Sequence, residues 1–415
     1  MYRISTDMPN DNLQFRLRRQ EQALAATQNR MATQSRFNEL RDDPLAAAHA
    51  VRYESYLARL ERFEQNALYA QDHYKIVDGY MRHAQDIMQR VRELAVTGAN
   101  GIYTKDEMRD IAVEVNELLK ELVQTANAVG TDGTRIFAGD KSFTEPFRAV
   151  EGASPAFGEP LIQAVAWQGS AAERSAEIDE GAFASLDAPG SEVFWAEKMQ
   201  ITSRLDASDY RVLESTSIFV DGVEIPLETG DTVNAIAAKI NDSPAPVRAF
   251  IDPTTRGLSL EGTDSHLIRV EDGAGGNVLR ELGILRDTSD PQAPVWHQDA
   301  QVAGSSLFDV VISLRDALLA GDSEAVGSAV LGGLDQGLGN MSTRMAQLGS
   351  RMERAEMTWK RVNEAIPDVT ANLARVSALD FSTAATDLGM LDFAHKAALQ
   401  TAGKVIQPTL LDYLR

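Results

Sequence analysis

The sequence lacks cysteine altogether and has no long apolar run. In a chain of 415 residues the absence of cysteine excludes a disulfide framework, a thiol nucleophile and a thiolate metal site. No uninterrupted apolar segment approaches the roughly 20 residues that a helix needs to cross a bilayer. The first ten residues are polar and lack the apolar core of a secretory signal. We therefore expect a soluble protein that is either cytosolic or exported without a cleaved signal peptide.

Basic residues are also scarce. Lysine and arginine number 40 against 61 aspartates and glutamates, which gives a formal net charge of −21. Such a charge repels phosphate backbones and anionic membrane surfaces, so we expect neither nucleic acid nor a membrane as a partner. The first forty residues are locally basic, with an arginine-rich segment at 16–19.

Few residues suggest catalysis or ligand binding. His73 and His83 are ten positions apart, and not at the spacing that places two metal ligands on one helix face. The adjacent Asp42 and Asp43 precede Pro44, as is typical of a helix start. The glycine-rich segment 273–276 lacks the lysine and hydroxyl residue of a phosphate loop. We expect no catalytic residue, no cofactor and no metal, and interpret the chain as not an enzyme.

The strongest pattern is an apolar heptad stripe between residues 53 and 95. Apolar residues recur there at alternating steps of three and four, which predicts one long helix with a single buried face. The packing positions that we assign to this part of the helical core are Leu60, Phe63, Tyr74, Val77, Met81, Val91 and Leu94.

A second helix is predicted after a short loop that contains glycine. Thr104 and Glu107 have the spacing of a capping box, and an apolar stripe from Met108 to Val129 follows them, closing near Gly130. Helices joined by so short a loop are expected to pack antiparallel.

The C-terminal third repeats the heptad pattern between residues 334 and 376, with a possible kink at Pro367. Its core positions are Leu348, Met352, Trp359 and Val362. A shorter helix is predicted before it, from residue 308 to 319 and ended by Gly321, and a last helix after it, from 384 to 405.

Residues 141–300 differ in kind, because they hold most of the prolines and many short alternating apolar runs. Asp221-Gly222 between two apolar runs predicts a β-hairpin over 217–225, and segments 250–251 and 258–260 are expected to pair. Asp231-Thr232 predicts the cap of a short helix over 233–240.

The order of elements predicts an α+β fold in which both chain ends form a long antiparallel helical bundle or coiled coil, from which a central β-rich insert projects. The predicted segments are a terminal assembly helix (1–43), two halves of a helical core (44–140 and 301–378), the insert (141–300) and a second assembly helix (379–415).

Several segments resemble the flagellin superfamily. The run VRELAVTGANG at 91–101, followed by KDEMRD at 105–110, is similar to the N-terminal core motif of flagellins. Segments 42–44, 133–139, 146–147 and 410–415 are more similar to the hook-filament junction proteins of that superfamily, as is the opening 2–6, whereas the final arginine departs from their usual ending. Within the insert, residues of about 214–286 resemble the flagellin hook IN module.

The resemblance implies a flagellar structural subunit at the hook-filament junction, exported by the flagellar type III route to an extracellular or periplasmic flagellum. Its implied partners are copies of itself, another hook-associated protein, flagellin and an export chaperone. The two ends would be disordered in the free monomer and order on assembly. The terminal residues assigned to assembly are Leu13, Leu17, Leu24, Leu388, Leu391, Leu410, Leu411, Tyr413 and Leu414.

Two other readings stay open at this point. A minor flagellin of the filament would carry the same motifs. An exported adhesin or effector would use the helices as a stalk and would bind a host ligand or glycan through the isolated insert, 141–300.

Overall fold

The computed structural model describes residues 7–39, 41–153, 160–287 and 295–405. The opening 2–6 and the four terminal positions Leu410, Leu411, Tyr413 and Leu414 lie outside the described residues.

Long helices occupy both ends of the described chain. The helices are α1 (Asp7–Thr33), α2 (Pro44–Ala99), α3 (Lys105–Ala126), α4 (Gly190–Val193), α5 (Val233–Asp242), α6 (Val278–Glu281), α7 (Leu307–Ala320), α8 (Ser323–Ala325), α9 (Leu331–Ser377) and α10 (Phe381–Val405). A π-helical turn, Val326–Val330, joins α8 to α9.

Short antiparallel strands fill the middle of the chain. The strands are β1 (Phe147–Ala153), β2 (Pro160–Trp167), β3 (Ser175–Asp179), β4 (Ala182–Ser185), β5 (Gln200–Ser203), β6 (Thr216–Val220), β7 (Val223–Leu227), β8 (Val247–Ile251), β9 (Leu258–Gly262), β10 (Val270–Asp272), β11 (Leu285–Asp287), β12 (Val295–Trp296) and β13 (Ala300–Ala303). They form a four-stranded sheet of order β13-β5-β9-β8, a three-stranded sheet β10-β6-β7, and the pairs β1-β2, β3-β4 and β11-β12. The predicted α+β class, with helical ends and a β-rich centre, is confirmed.

The chain divides into two compact units. One unit combines residues 1–65 with 359–415, and the other comprises residues 66–358. Because α2 and α9 are long, each contributes residues to both units. The five-segment division expected from the sequence stays a prediction.

In the described part of the first unit, helices are joined by short non-helical segments, and no strand is present apart from the isolated bridge between Ser35 and Ala378. A small core of Leu60, Phe63, Val362 and Val369 joins the residues of α2 to those of α9. The residues that follow α1 pair with those that precede α10, since the Arg36 N–H donates to the Ser377 carbonyl over 2.8 Å. Helices α1 and α10 then lie along each other in opposite directions.

The second unit is built on its helices. The residues of α2 and α3 run antiparallel, as predicted, because Arg90 pairs with Glu114 at 2.7 Å and His83 with Glu121 at 3.1 Å. Their buried stripes share one core with α7 and the first part of α9. Aromatic rings fill its centre, with ring centroids 4.9 to 5.6 Å apart. These rings belong to Phe137, Phe147, Trp167, Phe194 and Phe308.

A second core in the same unit belongs to the β-rich insert. Strands β6 and β7 form the predicted hairpin, in which Val220 faces Val223 across a two-residue turn. Both turn residues, Asp221 and Gly222, have positive φ angles of 49° and 81°, which suits the right-handed twist of a hairpin. The predicted pairing of β8 with β9 and the cap of α5 at Thr232 are also confirmed.

One detail of the helical core, the end of α3, differs from the prediction. Helix α3 ends at Ala126 and not near Gly130, because the side chain of Asn127 is engaged by the backbone of Phe147. Val129, which the stripe assigned to the apolar face, is therefore outside the helix and is 43% exposed. Helix α9 continues through Pro367.

Candidate assembly surface of the terminal helices

The terminal helix pair, defined as α1 and α10, packs loosely. Among its described side chains, Ala384 and Ala402 are the buried hydrophobic ones. The predicted assembly leucines in the pair are half-buried, namely Leu13, Leu17, Leu24, Leu388 and Leu391. The structure brings these five together along one pair of helices, but two helices cannot enclose them.

Large apolar side chains of this pair point away from it. Phe15 is 68% exposed and Phe393 is 75% exposed. Phe381, Met390 and Leu399 are exposed as well. We call the five residues Phe15, Phe381, Met390, Phe393 and Leu399 the apolar rim. Large exposed apolar side chains on a helix pair that buries few of its own are typical of a surface that another protein covers.

Carboxylates hold the described residues of the segment between α1 and α2. The Ala46 N–H donates to Asp43 over 3.0 Å, and Arg36 pairs with the same carboxylate at 2.7 Å. These two partners hold the pKa of Asp43 below its ordinary value, the Ala46 N–H being the larger cause. Asp42 accepts hydrogen bonds from the backbone of Asn38 and Glu39. The adjacent aspartates therefore shape the entry to α2, as the sequence predicted.

The predicted core positions fall into the two separate units. Leu60, Phe63 and Val362 are buried in the first unit. Tyr74, Val77, Met81, Val91, Leu94 and Leu348 are buried in the second unit, and Met352 packs against that core while partly exposed. Trp359 is half-buried, and its indole N–H has no acceptor among the described residues. The burial of these side chains indicates that they contribute to helix packing. A role for any of them in assembly stays a prediction.

A buried ionic cluster that the sequence did not indicate joins the insert to α9 within the second unit. His266 is only 4% exposed, and its ring nitrogens lie 3.1 Å from the carboxylate of Asp221 and 2.9 Å from that of Asp264. Arg344 of α9 pairs with both Asp264 and Glu192, the latter at 2.8 Å. We call these five residues the anchoring cluster.

The cluster keeps its histidine charged. Burial alone would favour the neutral ring, but the hydrogen bonds and charges of Asp221 and Asp264 outweigh it and raise the pKa of His266 to about 10. Burial raises the pKa of Glu192, although Arg344 opposes that shift. Because its members, from Glu192 to Arg344, are up to 152 positions apart in the sequence, no local motif predicts the cluster.

Asn340 strengthens the same junction one helical turn before Arg344. Its side-chain N–H groups donate to the carbonyls of Glu192 and Trp195 over 2.9 and 2.8 Å. The insert is thus tied to α9 by hydrogen bonds that satisfy buried carbonyls.

Two properties of the described residues bear on other functions. In that part of the chain, no three histidine, aspartate or glutamate side chains are grouped so that they could hold a metal ion. Over the same residues, no helix combines the length and apolar character required to cross a membrane.

Comparison with protein families confirms the resemblance inferred from the motifs. Residues 4–142 match the family described as the bacterial flagellin N-terminal helical region. Residues 212–264 match the flagellin hook IN motif.

Individual relatives are also flagellar. The chain is 32% identical over 117 residues to a flagellin of Treponema pallidum, a match that covers 28% of this chain and 41% of the relative. It is 24% identical over 258 residues to flagellar hook-associated protein 3 of Escherichia coli, which covers 61% of this chain and 74% of that protein. The chain thus spans about two fifths of the Treponema flagellin but about three quarters of the hook-associated protein.

Among solved structures, flagellar hook-associated protein 3 from Legionella pneumophila aligns with a TM-score of 0.47 and 17% identity, covering 78% of this chain and 98% of that one. A putative flagellar hook-associated protein from Vibrio parahaemolyticus aligns with a TM-score of 0.42 and 14% identity, covering 81% and 100%.

Proposed function

We propose that this flagellin-like chain is a structural subunit of the bacterial flagellum, which assembles through α1 and α10 and forms the adapter between hook and filament. In this proposal it performs no chemistry. Its work is to transmit force through packed helices.

The observation that carries the proposal is the apolar rim on a helix pair with almost no buried side chains. Burial of apolar surface is the main favourable term in protein association. A helix pair that leaves Phe15 and Phe393 mostly in solvent buries little apolar surface when it folds alone. It would bury much more in contact with neighbouring copies of the chain. The match of residues 4–142 to the flagellin helical region places α1, α2 and α3 within a segment that filament proteins share.

The position at the junction is supported by the extent of the relationship to the hook-associated protein. The match to the Escherichia coli protein covers 74% of that protein, whereas the match to the Treponema flagellin covers 41% of the flagellin. The partners that follow are further copies of the chain, a neighbouring hook-associated protein, flagellin and an export chaperone. Export would proceed without a cleaved signal, to a flagellum outside the cell or in the periplasm.

The assembly step can be tested with charges placed on the rim. Phe15→Asp and Phe393→Asp should abolish incorporation into the flagellum, because each would bury a carboxylate at the contact between subunits. Their monomers should unfold at the same temperature as the wild type, since both phenylalanines are already exposed. The measurements are motility, the amount of protein in purified flagella, and thermal unfolding.

Matched controls carry the same charge at exposed polar positions of the same helices, Gln22→Asp and Gln400→Asp. We expect both controls to assemble more fully than the rim variants. Normal incorporation of Phe15→Asp and Phe393→Asp would exclude the apolar rim as the assembly surface.

A filament subunit is the second candidate, and the similarity to Treponema flagellin favours it. The two candidates differ in where the protein lies. Immunogold labelling of purified flagella should give a ring at the filament base for an adapter and labelling along the length for a flagellin. Cells that lack an adapter should secrete flagellin monomers, whereas cells that lack a minor flagellin should keep their filaments.

A further inference from the structure

We propose that Asn100 is a site of spontaneous deamidation, at which the side-chain amide converts to aspartate and isoaspartate in the folded protein. The proposal concerns the turn between α2 and α3 and does not depend on the function proposed above.

The sequence singles out this asparagine. Asn100 is the only asparagine in the chain that is followed by glycine. Cyclisation requires the backbone nitrogen of the next residue to approach the side-chain carbonyl carbon, and any side chain on that residue hinders the approach. Glycine has none, and it leaves the backbone free to adopt the required conformation.

The structure leaves both reacting groups free. Asn100 directly follows the last residue of α2 and is exposed. Within the described residues, its side-chain amide makes no hydrogen bond and the Gly101 N–H donates none, so neither group has to break a contact before reacting. Gly101 has a φ angle of 63°, and a Cβ built on it would meet nothing nearer than the Ser323 hydroxyl at 3.9 Å. The turn therefore has space to move.

Two asparagines elsewhere in the second unit, Asn241 and Asn340, are held in place by hydrogen bonds. The side chain of Asn241 exchanges two hydrogen bonds with the backbone of Ala249, at 2.7 and 2.8 Å. The side chain of Asn340 donates to three backbone carbonyls. Both are followed by residues with side chains, Asp242 and Met341. The contrast predicts that conversion is confined to Asn100 in the native state.

The reaction needs only solvent. The Gly101 backbone nitrogen loses its proton to hydroxide and attacks Cγ of Asn100, which forms a C–N bond and expels the amide nitrogen as ammonia. Water then adds to one of the two carbonyls of the resulting succinimide and opens the ring. Attack on one carbonyl gives aspartate, and attack on the other gives isoaspartate with an extra atom in the main chain.

The product changes the turn in two ways. A negative charge arises at the C-terminal end of a 56-residue helix, where the helix dipole disfavours it. Isoaspartate also lengthens the connection that leads to the Thr104 capping box. Aged protein should therefore contain a more acidic and less stable fraction.

The test is to incubate the full chain at mildly alkaline pH, folded in buffer and unfolded in urea, and to map its tryptic peptides over several weeks. Cleavage after Arg92 and Lys105 yields the peptide 93–105, in which Asn100 is the sole asparagine. We expect this peptide to gain about 1 Da in the folded sample at a rate comparable with that in urea, because thermolabile asparagine is the only group in it that reacts this way. Hydroxylamine, which cleaves succinimides, should yield fragments 1–100 and 101–415.

The variant Asn100→Gln should lose both the mass shift and the hydroxylamine cleavage. The variant Asn100→Asp should reproduce the acidic form and its lower unfolding temperature. Peptides that contain Asn241 or Asn340 should remain unchanged in the folded sample. Conversion in the folded chain that is more than an order of magnitude slower than in urea would overturn the proposal, as would conversion at Asn340 at an equal rate.

Discussion

The side chain of Asn127 and the backbone of Phe147 exchange two hydrogen bonds in the core of the second unit. The Asn127 amide donates to the Phe147 carbonyl over 2.7 Å, and the Phe147 N–H donates to the Asn127 side-chain oxygen over 2.9 Å. The amide side chain of Asn127 thus forms the pair of hydrogen bonds that a neighbouring strand would form, and it connects the end of α3 to β1.

Asn127→Ala should destabilise the fold by about 2–4 kcal/mol, because it leaves one buried donor and one buried acceptor of Phe147 without partners. Urea unfolding followed by circular dichroism measures this free energy. Gln124→Ala, at an exposed position of the same helix, is the control and should change it by less than about 0.5 kcal/mol. An equal effect of both substitutions would mean that the paired bonds contribute nothing.

The anchoring cluster predicts a loss of stability at alkaline pH. Since the pKa of His266 is raised to about 10 in the folded protein, above the roughly 6.5 of an unfolded histidine, the folded state binds the proton more tightly. The stabilisation is complete below the unfolded value and disappears as the pH rises through the folded value. The free energy of unfolding should therefore fall between these two values.

His266→Asn should lower the stability at neutral pH and flatten this decline, because the titrating ring is gone while Asp221 and Asp264 remain. Urea unfolding at a series of pH values compares the two proteins. His83→Asn removes a half-exposed histidine that pairs with Glu121, and it should leave the alkaline slope as in the wild type. An unchanged slope in His266→Asn would contradict the assignment.

Two glycines of α9 are predicted to respond in opposite directions to alanine. A Cβ on Gly337 would lie 2.2 Å from the buried Leu307 side chain and 3.3 Å from Ala196, whereas a Cβ on Gly339 would meet nothing within 4 Å. Gly337→Ala should destabilise the protein by about 1–3 kcal/mol through overpacking. Gly339→Ala should stabilise it by about 0.4–1 kcal/mol, since it restricts the unfolded chain. Thermal unfolding of the matched pair checks both signs, and stabilisation by both would show that Leu307 yields freely.

The capping box of α3 predicts a smaller effect. The Glu107 N–H donates to the Thr104 hydroxyl, and the Thr104 N–H donates to the Glu107 carboxylate over 2.8 Å. Thr104→Ala should cost about 1 kcal/mol, the usual value of a lost helix cap. Thr104→Ser retains a hydroxyl and should restore most of the stability in the same urea titration. If Thr104→Ser were as unstable as Thr104→Ala, the loss of stability would be due to the threonine methyl group and not to the cap.

Local signals in the sequence predicted the elements that local chemistry controls. Asp43 and Pro44 marked the start of α2, Thr104 and Glu107 marked that of α3, and Asp221-Gly222 marked the hairpin turn. Each signal depends on interactions within a few residues, so it does not require knowledge of the tertiary structure. Heptad periodicity likewise identified the buried face of α2, including Tyr74, Val77 and Met81.

The sequence alone determined that both ends are helical, that the centre is β-rich, and that the motifs are those of flagellins. Only the tertiary structure decided where α3 stops, which side chains of α1 and α10 are left exposed, and that His266, Asp221 and Arg344 meet. The reason is that helix period and capping depend on neighbours in the chain, whereas burial and ion pairing depend on residues that are distant in sequence. Such contacts exist only after the chain has folded.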